Sequence, residues 1–333
     1  GAVVLVPGAE AMPGDIRPEF GYGRLPNVIT SVEFERILSA SGPWDGVVQR
    51  PSDGKHPRKV AFIHCVGSRD TSCDQGYCSS VCCMYATKEA IIAREHDPNV
   101  EPTIFYMDVC SFGKGFEQYI ERAQQEYGVR YVRSMVATVT EVPGTGNLRL
   151  SHATPDGKNV DEEFDLVVLS VGLRPPEGAQ GLAGRLGIAL NEHGFAEPPP
   201  FQPGQTTRPG VFVAGAFSEP KDIPETVIEA SCAVAQASAL LTSVRGALTE
   251  ERVWPEERDV SEALPRVGVF VCHCGINIGG VVSVPEVVEY ACTLPDVAYA
   301  GENLYTCSQD TQERIQDLVE EYGLNRVVVA SCT

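Results

Sequence analysis

The sequence predicts an α/β protein: a parallel sheet packed between helices, followed by a second, smaller α/β module. Three observations predict it. Buried-type strands alternate with amphipathic helices between residues 59 and 172. A stretch at 249–265, alternating Glu, Arg and Pro, reads as a linker, and beyond it strands and helices alternate again. The chain has 333 residues, room for two or three domains at roughly 100–200 residues each.

The elements follow in order. A strand over 2–6 ends at Pro7-Gly8, and a Pro- and Gly-rich crossover leads to a helix over 31–39 with Val32, Phe34, Ile37 and Leu38 as its apolar set. Residues 42–58 read as loop. A strand over 59–64, a helix over 80–95, a strand over 103–108 and a helix over 115–127 come next. Strands within 129–142 and 148–152 form a small antiparallel insertion before a strand over 166–171. Residues 175–209 are loop-rich, with a short strand expected at 186–190. A strand over 210–217 then feeds a helix over 224–245, whose start carries Asp222, Pro224 and Glu225 in a capping-box pattern. The last module is strand 267–272, helix 285–293, strand 297–300, helix 309–322 and strand 326–330.

Composition narrows the function. A formal charge of −19 with no basic run argues against nucleic acid or an anionic membrane surface as partner. No stretch approaches the roughly 20 apolar residues of a membrane span, and no basic-then-apolar leader opens the chain. A cytoplasmic protein is therefore expected. Twelve cysteines in such a chain favour metal or redox use over a disulfide scaffold. Core strands flush with both chain ends read as a segment of a longer polypeptide.

Cys65, Cys78, Cys82 and Cys83 are the most informative residues. They fall just after the strand over 59–64 and around the start of the helix over 80–95. Cys78 and Cys82, four apart, are expected to share a helix face. Thiolates are soft ligands, and four of them without carboxylate or imidazole company suit a cubane iron–sulfur cluster at least as well as zinc. A helix N-terminus beside such an anion adds amide donors and positive potential. A structural zinc site, a disulfide pair and unligated buried thiols remain open. Cys73 is a spare or an alternative ligand. Cys110, after a strand end, reads as structural or as a redox thiol, His64 as a strand histidine or a partner of the cluster, and Cys292 as buried helix filler. The turn Cys65-Val66-Gly67-Ser68-Arg69-Asp70 stands where a dinucleotide domain carries G-x-G-x-x-G and lacks that spacing. In the last module, Cys272, Cys274, Cys307 and Cys332 follow strand ends, which parallel strands would bring to one edge.

The run from His64 to Asp70 with Tyr77-Cys78-Ser79-Ser80-Val81-Cys82-Cys83 resembles the C-x12-C-x3-C-C signature of the A-type subunit of heterodisulfide reductase. Gly210 to Ala216 with Pro220 to Thr226 is similar to the returning flavin-binding strand and helix of that family, and the cysteine module to its amino-terminal domain. The resemblance implies a thioredoxin-reductase-like, Rossmann-type flavoprotein core lacking its first FAD half, joined to a small C-terminal α/β cysteine module. Its parts would be 1–57, the end of the first FAD part and crossover; 58–174, an NAD(P)-domain-like unit carrying an iron–sulfur site; 175–248, the returning FAD part; 249–265, a linker; and 266–333, the incomplete module. The order is that of a tandem polypeptide.

Residue by residue, the resemblance implies a [4Fe-4S] cluster on Cys65, Cys78, Cys82 and Cys83, and a second on Cys272, Cys274, Cys307 and Cys332. FAD would contact Gly8, Gly215, Ala216, Asp222, Ile223 and Pro224. The implied function is an oxidoreductase: electron transfer between FAD and [4Fe-4S] clusters in a heterodisulfide reductase-like complex, with electron bifurcation as an extension. Its partners would be other subunits of such a complex, of the B and C type, or hydrogenase or formate dehydrogenase modules, in an oligomer. A flavin-dependent pyridine nucleotide disulfide oxidoreductase is the alternative, but it needs a C-x-x-C beside flavin and an intact glycine turn. A zinc-stabilised scaffold subunit is the other.

Overall fold

The computed structural model describes residues 1–154, 156–250, 257 and 259–332, so part of the expected linker lies outside the described residues. The chain forms two compact units. One comprises residues 1–38 and 47–249, the other 39–46 and 250–333.

The strands and helices of the larger unit are, in chain order, β1 (Val3–Leu5), β2 (Glu10–Ala11), β3 (Val28–Thr30), α1 (Ser31–Leu38), β4 (Lys59–Val66), α2 (Cys82–His96), β5 (Glu101–Tyr106) and α3 (Phe116–Gln125). Then come β6 (Arg130–Arg133), β7 (Val136–Glu141), β8 (Leu148–Ala153), β9 (Asn159–Phe164), β10 (Leu166–Val171), β11 (Leu173–Arg174), α4 (Ala179–Leu186), β12 (Val211–Val213) and α5 (Ile223–Leu240). A five-stranded sheet in the order β3-β10-β4-β5-β6 is parallel throughout. Every residue of β10 is buried, as a strand covered on both faces requires. Phe62 meets Phe34 of α1 edge to face at 5.6 Å on one face. Ile63, Phe105, Val167 and Leu169 pack with the Phe164 cluster on the other. The carboxyl ends of these strands share one edge, where α/β sheets present their ligands.

β7, β8 and β9 form an antiparallel meander inserted before β10. β9 reads Asn-Val-Asp-Glu-Glu-Phe and carries almost no apolar signal, because only Phe164 of it is buried. A separate two-stranded parallel sheet pairs β1 with β12, Val3 opposite Val211 and Leu5 opposite Val213. No strand forms at 186–190. Helix α4 occupies the approach, bracketed by left-handed Gly178 and Gly187, and only an isolated bridge joins Leu190 to Ala196. Its short length leaves such a segment undecided until its neighbours pack.

The second unit holds β13 (Val267–Cys272), α6 (Val284–Cys292), β14 (Val297–Asn303), α7 (Gln309–Glu321) and β15 (Arg326–Ala330). Its three strands are parallel in the order β14-β13-β15, around Phe270, Leu318 and Leu324. Cys292 is exposed rather than buried: α6 turns Val284 and Ala291 inward, and the next residue points about 100° away. Among the described residues no helix is long and apolar enough to cross a membrane.

Candidate functional site

Strand β4 is the central element that carries the first thiol. It runs two residues further than the apolar run suggested, so Cys65 lies within its final residues. There its backbone turns left-handed (φ 60°), and the pairing of β4 with β10 shifts register between Leu169 and Val171. Gly67 (φ 72°) and Arg69 (φ 55°) continue that kink. A side chain at Gly67 would press Met12 Cγ at 3.0 Å. Ser80, just before α2, is also left-handed (φ 61°). Left-handed L-residues cost on the order of 1–3 kcal/mol each and persist where surrounding structure over-determines them. Here they frame the thiols.

The expected helical face shared by Cys78 and Cys82 does not form. α2 begins at Cys82, and Cys78 sits in the loop before it, because left-handed Ser80 cannot continue a right-handed helix backward. The structure brings the thiols together by other means. The Ser80 amide donates to Cys78 Sγ at 3.4 Å, and the Cys110 amide to Cys83 Sγ at 3.3 Å. The Cys83 thiol approaches the Asp108 carbonyl at 3.8 Å. Tyr85 Oη donates to the Val171 carbonyl at 2.6 Å and Tyr77 Oη to that of Leu173 at 2.7 Å, which ties helix and loop to the end of β10.

The four thiols act on one another. Burial pushes the Cys65 thiol up to about 11, against Arg69, with Cys78 and Cys110 adding to the rise. Burial lifts Cys82 well above the thiol range, reinforced by Cys65, Cys83 and Cys78. Burial raises Cys83 too, opposed by the Cys110 amide. Crowded thiols withdrawn from water resist ionising one beside another, and a bound cationic centre reverses that order. Arg69 supplies positive charge beside Cys65 and Cys78 and pairs with Asp108 at 2.9 Å, while Arg133 reaches the other Asp108 oxygen at 3.0 Å. Among the described residues, no three Cys, His, Asp or Glu side chains close around a single ion position.

Cys110, read from sequence as structural or as a redox thiol, lies beside Cys78 and Cys83. It lies on a different segment from the four and joins only when β5 and β4 pair. Cys73 goes elsewhere, its thiol directed at Asp70 Oδ2 (3.6 Å) and the Ile16 carbonyl (3.8 Å). His64 is buried and, among the described residues, neither ring nitrogen finds a partner; burial holds its pKa down at about 4. It lines a cavity of about 150 Å³ together with Cys65, Arg17, Arg69 and Ser134.

The second edge is that of the β1–β12 pair. Both strands run toward it, placing Gly8, Gly215 and Ala216 at their carboxyl ends, and a side chain at Gly215 would meet Thr226 Cγ2 of α5 at 3.3 Å. Helix α5 starts on the expected capping box: Asp222 Oδ1 accepts from the Glu225 amide at 2.8 Å, and Glu225 Oε2 from the Asp222 amide at 3.2 Å. The box leaves the first-turn amide of Ile223, since Pro224 has none. Gly215 N–H is already engaged, donating to Glu229 Oε2 at 2.6 Å, and Lys221 Nζ closes on the same oxygen at 2.8 Å.

In the smaller unit three of the four expected thiols interact. Burial pushes Cys274 up to about 11, with Cys272 and Cys332 adding to it. Burial works against Cys272 ionising, but the Thr306 amide and hydroxyl and Cys274 bring it below the ordinary thiol value. Cys307 is exposed. A two-residue step past Cys272 turns Cys274 to the same edge, whereas Cys307 follows a loop that faces outward.

Residues 77–237 match the family model of pyridine nucleotide-disulphide oxidoreductases. The A-type subunit of the H2:CoB-CoM heterodisulfide,ferredoxin reductase of Methanothermobacter marburgensis is 45% identical over 240 residues, 72% of this chain and 36% of that protein. The second iron–sulfur A-type subunit of the CoB–CoM heterodisulfide reductase of Methanopyrus kandleri is 46% identical over 246 residues, 73% of this chain and 38% of that protein. The chain thus spans little more than a third of the length of these relatives. A solved thioredoxin reductase of T. acidophilum is similar at TM-score 0.44 and 19% identity, covering 72% of this chain and 66% of that one. Over the part that aligns, the chain belongs to the family of heterodisulfide reductase A-type subunits.

Proposed function

We propose that this chain is the electron-relay portion of an iron–sulfur flavoprotein oxidoreductase of the heterodisulfide reductase type. The observation that carries the reading is that the Cys65, Cys78, Cys82 and Cys83 thiols, drawn from a strand end, a loop and a helix start, lie close enough to act on one another. Buried thiols with amide donors and an arginine beside them suit a cubane: the amides and Arg69 stabilise its negative charge, and burial limits solvent. Cys272, Cys274 and Cys332 would hold part of a second cluster, with Cys307 as the outlying ligand. FAD would lie at the β1–β12 edge, against Gly8, Gly215, Ala216 and the start of α5 at Asp222, Ile223 and Pro224. Open space at Gly8 and the first-turn Ile223 amide support that placement. When bound, the flavin supplies paired-electron chemistry and the clusters single-electron transfer; the chain's own residues hold and insulate them.

The relatives' names make further subunits of a heterodisulfide reductase complex the natural partners, and thiol-held clusters suit the reducing cytoplasm. The test is metal analysis of oxygen-free, full-chain protein, with electron paramagnetic resonance after reduction. About four iron and four sulfide per centre are expected, lost from the first centre in Cys65→Ala and retained there in Cys274→Ala. Zinc, or no metal, at the first centre would make the chain a scaffold.

A further inference from the structure

Four thiolates complete a cubane, one on each iron. A fifth thiol, that of Cys110, neighbours the quartet. Cys110 lies on the irregular segment after β5, apart in sequence from the quartet, yet its amide donates to Cys83 Sγ at 3.3 Å. The same segment receives the Cys83 thiol on the Asp108 carbonyl and is clamped to the Cys65 turn through the Arg69–Asp108 pair at 2.9 Å. Its own thiol interacts with those of Cys78 and Cys83.

The quartet is not uniform in how its members are fixed. Cys82 and Cys83 are buried in the first turn of α2, and Cys65 lies within β4, between the paired residues Ile63 and Val66. Cys78 alone sits on a loop, half-buried, with a single amide hydrogen bond from Ser80. It is therefore the member whose sulfur can leave without moving a helix or a strand.

We propose that Cys110 is the exchange ligand for Cys78, so that this centre has two ligand sets, Cys65-Cys82-Cys83 with either Cys78 or Cys110. The inference rests on the thiol centre holding a cubane. The exchange is a substitution without net electron transfer: the Cys110 sulfur bonds to iron as the Cys78 sulfur leaves, and the proton lost by Cys110 ends on Cys78. Cluster assembly and repair gain a second route, and a change of ligand set moves the centre's spectrum and potential.

The experiment uses the full chain, reconstituted with iron and sulfide without oxygen, and reads iron, sulfide and the paramagnetic resonance spectrum of the reduced protein. Cys78→Ala is expected to keep about four irons at the first centre with an altered spectrum, and Cys110→Ala to keep them with the wild-type spectrum nearly unchanged. Cys78→Ala/Cys110→Ala is expected to fall to three irons or fewer there. Two results overturn the exchange: Cys78→Ala alone losing iron to the level of the double variant, or the double variant retaining all four. Cys110→Ser, nearly the size of cysteine, serves as the second variant should the alanine disturb the segment. Wild-type protein that takes up no iron at this centre overturns the cubane reading itself, a result distinct from either.

Discussion

At the scale of single residues, two buried charges away from the thiols set measurable expectations. Glu229 gathers the Gly215 amide, the Ser218 hydroxyl and the Lys221 ammonium, with both charged side chains nearly out of solvent. Removing one member strands the other. Glu229→Ala is expected to destabilise the larger unit by about 3–5 kcal/mol in urea unfolding, whereas Lys221→Met/Glu229→Leu recovers most of the loss. Equal losses for the single and the double variant would show that the pair itself stabilises. Glu89 of α2 behaves differently. Burial lifts its carboxyl well above the ordinary range, with Glu35 adding to the rise, and among the described residues its Oε2 has no partner. Its folded value exceeds its unfolded value of 4.5, so the stability tied to its proton is intact below about pH 4.5 and is lost as pH rises. Glu89→Gln is therefore expected to stabilise by about 1–3 kcal/mol near pH 7, with the gain vanishing toward pH 4.5. A pH-independent difference between the two proteins would contradict this.

At the scale of elements, the thiol centre depends on how closely the end of β10 meets the two cysteine-bearing turns. A side chain at Gly172 would fall 2.1 Å from Ser68 Oγ and 2.6 Å from Ser79 Oγ, which hydrogen-bond each other. Ser79 also accepts from the Leu173 amide at 2.8 Å, so the hydroxyls have little room to give. Gly172→Ala is expected to spread the Cys65 turn from the Cys78 loop, costing about 1–3 kcal/mol and lowering bound iron. Full iron content in a stably folded Gly172→Ala protein would remove this contact from the list of what sets the centre. Helix α5 offers a milder test. Asp222→Ala breaks the capping box and should cost about 1 kcal/mol, read as a shift in the urea midpoint of the larger unit.

At the scale of the whole molecule, two units with separate cores imply two unfolding events. Phe270 is wholly buried in the smaller unit. Phe270→Ala is expected to move one transition by about 3–5 kcal/mol and leave the iron of the Cys65 centre unaltered. A single transition that moves as a whole would show that the units unfold together. The charge of −19 belongs to this scale as well, since it favours partners with basic docking faces over nucleic acid.

Much of this was legible without coordinates. The run of β10, apolar but for Ser170, and the alternation from β4 onward identify a covered parallel sheet because burial on both faces leaves few polar positions. The capping box of α5 is legible because its two hydrogen bonds are local. β9 was not, since a strand on an exposed meander is selected by its partner β8 and not by its own residues. The break between Cys78 and α2 was not legible either. Serine rarely takes a left-handed backbone, and the neighbouring Ser79 is engaged by the Leu173 amide, a contact from far along the chain.

The sequence by itself determined the class of the fold, the chemistry of the donors and, through the C-x12-C-x3-C-C spacing, the family. Those are properties of residue type and order. Tertiary structure alone set the Cys110 thiol beside Cys78 and Cys83, directed the Cys73 thiol at Asp70, left Cys307 exposed and gave the Gly215 amide to Glu229. Each of those outcomes depends on where two distant segments meet, and strand pairing fixes that meeting point, not local sequence.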